Sequence, residues 1–70
     1  MELIAGETIR PGDVVSIGGD GKLHPALAPK LPVFTAPVDI KEDDIVELSL
    51  LDGKVLSVTR AGEVIYRNNL

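Results

Sequence analysis

Seventy residues make one domain at most, and a chain of this length hides only about 60% of the surface its unfolded form exposes, so its core is thin. There is no cysteine and His24 is the single histidine, which excludes disulfides and any Cys- or His-based metal staple as compensation. Seven basic against eleven acidic residues leave a formal net charge of -4, which argues against nucleic acid as a ligand.

From the N-terminus, Met1-Glu2 is followed by only two strongly apolar residues, Leu3 and Ile4. This is neither the basic region nor the apolar region of an export signal, and no apolar run approaches membrane-spanning length. The expectation is a protein made in a cytoplasm, with no membrane partner. Strand-like segments rich in Val, Ile, Leu and Thr then alternate with glycine-containing triplets, and no long window sustains a helical apolar stripe.

The first strand pair is expected over about residues 13 to 25, closed by Gly19-Asp20-Gly21. A three-residue hairpin loop ends on a residue in the left-handed region, the position glycine enters at least cost, here Gly21. Counting outward pairs Ile17 with Leu23, Ser16 with His24 and Val15 with Pro25. A Ser16/His24 couple suggests nucleophilic chemistry, but no third group is evident to orient the imidazole and no oxyanion donors are evident. An exposed cross-strand pair is the preferred reading. Gly18-Gly19-Asp20-Gly21 lacks the Lys-Ser/Thr and the helix of a phosphate loop, so it is read as a turn.

The next stretch, PALAPKLPVFTAP from Pro25 to Pro37, cannot be an inner strand because of its prolines. Leu27, Leu31, Val33 and Phe34 are its apolar residues. They are either anchors for a partner subunit, Phe34 the largest, or part of an intradomain crossover that caps the fold. A strand fragment is expected near Val33 to Ile40. The acidic run Glu42, Asp43 and Asp44 lacks the alternating ligands and glycine of a calcium loop. It reads as a solvated turn, with a cation or a basic partner patch as the alternative.

A three-stranded meander is expected over about residues 45 to 67, with three-residue loops Leu51-Asp52-Gly53 and Arg60-Ala61-Gly62 and left-handed Gly53 and Gly62. The count sets Leu48 opposite Leu56 and Val46 opposite Val58, then Leu56 opposite Tyr66 and Val58 opposite Val64. The second face carries Ile45, Val55 and Ile65 among polar residues, so something should cover part of it. The chain's own N-terminal half is the expected cover, and a partner chain is the alternative. The whole is one all-β domain over residues 1 to 70: a small open barrel or sandwich with an N-terminal hairpin, a Pro-rich crossing segment and a C-terminal antiparallel meander. No catalytic residue, cofactor site or metal site is expected.

Residues Ala5 to Ala26, AGETIRPGDVVSIGGDGKLHPA, resemble the opening of small tailed-bacteriophage virion proteins, with head decoration or cement proteins nearest. The shared elements are a Gly-Glu, an apolar position, a Gly-Asp-Val-Val strand and an Asp-Gly-Lys hairpin. The resemblance implies a compact β-fold, often trimeric, seated on the major capsid protein or other virion subunits; the thin core and the apolar strap also lead to a homo-oligomer, a trimer or a set of copies on a larger shell, as the expected working form. At Gly6, Glu7, Gly12, Asp13, Asp20, Gly21 and Lys22 it implies turn-shaping roles. The Pro-rich crossing is not part of that pattern. A tail or fibre-base component, a module binding a host surface and an adaptor-like module of a cellular complex share the same grammar. A lipoyl or biotinyl carrier is disfavoured, because Lys22 and Lys54 follow glycine instead of sitting in an Asp-Lys-Ala or Met-Lys-Met setting.

Overall fold

The computed structural model describes residues 1–25, 34–49 and 51–68. Among these residues seven strands are formed: β1 (Glu2–Ile4), β2 (Val14–Ile17), β3 (Leu23–Pro25), β4 (Phe34–Thr35), β5 (Ile45–Ser49), β6 (Lys54–Arg60) and β7 (Glu63–Arg67). They build two antiparallel sheets, β1-β5-β6-β7 and β3-β2-β4, neither closed into a barrel. The fold class is therefore all-β, as the alternation in the sequence predicts. Between the sheets lie Val15, Leu23 and Phe34 from one side and Val46, Leu48, Val55 and Val58 from the other, joined by Ala5, Ile9, Ala36 and Ile40 from the connecting segments.

Those connecting segments carry an internal repeat. Arg10-Pro11-Gly12-Asp13 and Lys41-Glu42-Asp43-Asp44, thirty-one residues apart, form the same turn. In each the fourth N–H donates to the first carbonyl, at 3.1 and 3.0 Å. The third residue has positive φ, 86° at Gly12 and 72° at Asp43, the pattern of a type II turn. The closing aspartate then accepts the first residue's N–H through its carboxylate, Arg10 to Asp13 at 3.2 Å and Lys41 to Asp44 at 2.9 Å.

The same two-fold relation governs the pairing around the turns. The Gly12 N–H donates to Ala36 and the Asp43 N–H to Ala5, while Ala36 donates to Asp13 and Ala5 to Asp44. Strand β1 pairs with β5 (Leu3 opposite Val46) and β4 with β2 (Phe34 opposite Val15), so each half lends its first strand to the other half's sheet. Among the described residues β7 is the one strand outside this exchange. The exchange also explains why β1 is not evident in the sequence: three residues are too short to read as a strand until their counterpart in the repeat, β4, thirty-one positions on, is recognised.

The first hairpin has the predicted register, Val15 opposite Pro25, Ser16 opposite His24 and Ile17 opposite Leu23, with Gly21 at φ 78°. The meander departs from its predicted register at two bulges. Val46 lies opposite Val58 as expected, but Leu48 faces Val55, not Leu56, and Ser49 faces Lys54. Leu56 is the extra residue, so the ladder runs on to Ser49 and Lys54 instead of stopping for a three-residue loop, and the Gly53 N–H donates to the Ser49 carbonyl at 2.9 Å. Extra length at Leu56 lets Val55 and Val58, three apart, both turn into the core.

In β7 the extra residue is Ile65: Val58 faces Tyr66 and Thr59 faces Val64, so Tyr66 is not opposite Leu56 and Val64 is not opposite Val58. The loop here holds two residues, since Arg60 pairs with Glu63. Ala61 (φ 52°) and Gly62 (φ 80°) are both left-handed, the signature of a type I′ hairpin turn, whose right-handed twist matches the strands it joins. Gly53 (φ 64°) and Gly62 keep their predicted left-handed conformation in loops of other lengths.

Phe34 is 1% exposed and belongs to the core of this chain, so it is not an exposed anchor for a partner. The apolar ring fills the space between β2 and the opposite sheet, the position that Leu3 holds in the other half. Leu27, Leu31 and Val33 lie outside the described residues.

Candidate functional site

Strand alternation sorts the four-stranded sheet into an inner and an outer face. Leu3, Val46, Val58 and Tyr66 are cross-strand partners that face the core. One residue along each strand, the outer face carries Glu2, Glu47, Ser57 and Arg67 in one row and Ile4, Ile45, Thr59 and Val64 in the next. The bulge adds Ile65 beside Val64.

The apolar members of this row are open to solvent: Ile4 45%, Ile45 42%, Val64 46% and Ile65 39% exposed. Val55, grouped with Ile45 and Ile65 in the sequence reading, is instead buried by the bulge at Leu56. The expectation that the N-terminal half covers this face is corrected, because β1 joins the edge of the sheet and adds Ile4 to the exposed row. At the β1 end of the row lies a shallow concavity of about 460 Å³, lined by Glu2, Leu3, Ile4 and Ile45 and by Asp20, Gly21 and Lys22 of the first hairpin tip. Isolated exposed apolar side chains are ordinary; here Ile4 and Ile45 are direct neighbours on β1 and β5, and Thr59 separates them from Val64 and Ile65 on β7. Leu51, fully exposed at the tip of the β5–β6 loop, stands apart from that row.

His24 is held on both sides. Its Nδ1 lies 2.7 Å from Glu7 Oε2 and its Nε2 3.0 Å from Asp20 Oδ2. The ring rests against Gly6 and Gly18: a Cβ at either position would fall 2.6 Å from a ring carbon. The Glu7 carboxylate, then that of Asp20, hold the His24 pKa above the usual imidazole value, against the desolvation that lowers it. The Lys22 N–H and then His24 lower the Asp20 pKa. The predicted cross-strand pair with Ser16 is present, but the imidazole is oriented after all, by two carboxylates, and spends both nitrogens on them. An imidazolium so held is a structural cross-link between the segment after β1 and the hairpin tip. As placed, it offers Ser16 no free nitrogen to act as base. Gly6, Glu7 and Asp20 thus shape more than turns.

The acidic run divides. Glu42 and Asp43 are exposed, whereas Asp44 is 3% exposed, which corrects its reading as part of a solvated turn. The Arg60 guanidinium reaches Asp44 through Nε (3.0 Å to Oδ1) and Nη2 (2.8 Å to Oδ2) and also donates to the Asp39 carbonyl at 3.1 Å. Burial alone raises the Asp44 pKa; the Arg60 hydrogen bonds and the Lys41 N–H outweigh it and hold the carboxyl below the usual range. Arg60 thereby ties the second type II turn to β6. Among the described residues no three His, Cys, Asp or Glu side chains are grouped so that they could hold a metal ion.

The chain matches no protein-family model, no curated protein and no solved structure.

Proposed function

We propose that this protein is a non-enzymatic structural module that works by docking within a larger assembly, and that the assembly is a bacteriophage particle whose capsid shell it decorates or cements. The observation that carries docking is the open row Ile4, Ile45, Val64 and Ile65, on a domain with little core to spare for exposed apolar side chains. The specific assembly rests on the resemblance of residues Ala5 to Ala26 to head decoration proteins. On this reading the partners are the major capsid protein or neighbouring virion subunits and further copies of the chain, and the working location is the virion. The polar groups with unusual titration, His24, Asp20 and Asp44, are each engaged in internal cross-links, which supports a structural role over a catalytic one.

Mass spectrometry of purified particles from the source, with copy number measured against the major shell protein, tests this. A fixed stoichiometric copy number is expected. Absence from intact particles overturns the virion reading.

A further inference from the structure

We propose that the outer face of the four-stranded sheet is the interface of a two-fold homodimer, with a second copy of this chain as its occupant. The inference rests on the reading of that face as a contact surface, and it names the partner.

The face is self-complementary about one axis. Along the polar row the charge runs from Glu2 and Glu47 on β1 and β5, through Ser57, to Arg67 on β7. A two-fold axis lying in the interface parallel to the strands reverses the strand order of the facing copy while keeping the rows aligned. Glu2 then meets Arg67 of the second copy, Arg67 meets Glu2 and Glu47 meets Ser57. In the apolar row Ile4 meets Val64 and Ile65, and Ile45 meets Thr59.

The same operation sets the Val64–Ile65 protrusion, doubled by the bulge, over the β1 end of the facing row, where the concavity beside Ile4 lies. A two-fold running across the strands instead lays every strand on its own copy. That arrangement puts Glu2 and Glu47 against their own equivalents or against the apolar row. Each contact in the first arrangement occurs twice, as an isologous interface requires, and the aligned stacking of two sheets is ordinary sandwich geometry.

Two other occupants fit less well. A strand added to the edge of β7 meets a ladder broken at Ile65, and bulges of this kind blunt an edge. A three-fold assembly uses two different patches per copy, and the complementarity seen here lies within one patch.

Sedimentation equilibrium of the full chain, with charge-reversal variants, tests the proposal. Glu2 and Arg67 lie on opposite edge strands of one sheet, so they form no pair within a copy. Glu2→Lys and Arg67→Glu are each expected to weaken dimerisation at least tenfold, and the double variant Glu2→Lys/Arg67→Glu to restore it. Rescue follows only if the two positions meet across the interface. Ile45→Lys, at an exposed site, is expected to give a folded monomer by circular dichroism.

A native chain that sediments as a monomer at several hundred micromolar, or as a trimer, overturns the proposal, as does a double variant with no rescue. A monomer that still binds purified shells lacking it, and loses that binding on Ile45→Lys, assigns the face to the shell: the dimer then fails while the docking reading stands. Concentration-independent protection of the outer face in the monomer assigns it to a segment of the chain itself and overturns the dimer.

Discussion

Ile9 and Ile40 hydrogen-bond to each other in both directions, N–H to carbonyl at 2.7 and 2.9 Å, and both side chains are completely buried. They are equivalent positions of the two halves, so this pair lies where the internal two-fold passes through the core. Each isoleucine fills the gap between the sheets beside the exchanged strands, which makes the two halves interdependent.

Trimming either residue should therefore have the same effect. Ile9→Val and Ile40→Val are each expected to destabilise by about 1 kcal/mol, as for a lost methyl group in a packed core. Because the two residues touch, the double variant should depart from additivity by about 0.5 kcal/mol or more. Urea denaturation of the four proteins measures both quantities; a cost at one position only would show that the halves are not equivalent in packing.

Among the described residues, two that are not glycine sit in the left-handed region, Asp43 at φ 72° and Ala61 at φ 52°. An L side chain there costs roughly 1–2 kcal/mol relative to the right-handed conformation. Glycine carries no such penalty, but it loses more chain entropy on folding. Both side chains are exposed, so nothing is lost in packing. Asp43→Gly and Ala61→Gly are each expected to raise stability by about 0.5 to 1 kcal/mol. Ala61→Asn should do the same, because asparagine is favoured in a type I′ turn. Thermal unfolding provides the comparison, and a fall in stability for all three would contradict the turn types assigned here.

How much of this was legible in the sequence depends on where extra residues fall. The first hairpin has no bulge, so counting outward from Gly21 reproduces its register. The meander contains two bulges, and each displaces the count beyond it although the glycines are left-handed as predicted. Val55 and Val58, apolar at a spacing of three, were the sign that strict alternation fails in β6. In the third loop an alanine had to enter the left-handed region, which propensity argues against. The internal repeat was visible as Ala5/Ala36, Ile9/Ile40, Asp13/Asp44 and Val15/Val46, all at one spacing. It passes for ordinary strand and turn composition until the hydrogen bonds tie the halves together. The partners of His24 were not legible, because Glu7 reaches it across 17 positions of chain.

Asp13 and Asp44 occupy equivalent turns, yet their removal should have unequal effects. Asp13 accepts an exposed backbone N–H, a bond whose loss costs about 1 kcal/mol. Asp44 is buried and paired to Arg60. Arg60→Met leaves that buried carboxylate without its partner and is expected to cost more than loss of the Asp13 bond, because the stranded charge is buried. The Asp44 pKa is depressed in the folded protein, so its contribution is present above the ordinary carboxyl value and fades as pH falls through the folded one. In Arg60→Met that stabilisation disappears, and the acid-unfolding midpoint should move to higher pH. An unchanged midpoint would show that Arg60 does not set the titration.

The His24 cross-link has the opposite sign on its basic side. Glu7 and then Asp20 raise the imidazole pKa above its unfolded value. Stability from the charged ring is therefore complete below the unfolded pKa of about 6.5 and is lost as pH rises through the folded value. On the acidic side, Asp20 has a depressed pKa, and its share is lost as pH falls through that value. The cross-link should thus be complete between the ordinary carboxyl value below and the ordinary imidazole value above, and fade as pH moves outward through the folded values of Asp20 and His24. Glu7→Gln removes the carboxylate charge beside Nδ1 and keeps the shape, so the His24 pKa, followed by proton NMR of the ring, is expected to drop toward the unperturbed value. Gly18→Ala should act differently, because its Cβ would strike the ring at 2.6 Å and push it from Asp20 with both carboxylates intact. The ring resonances should shift and the stability gained from neutral to mildly acidic pH should shrink. If Glu7→Gln leaves the His24 pKa unchanged, the ring is not held by that carboxylate in solution, and the segment after β1 must be tied to the hairpin by its backbone bonds alone, Gly6 N–H to the Leu23 carbonyl at 2.8 Å among them.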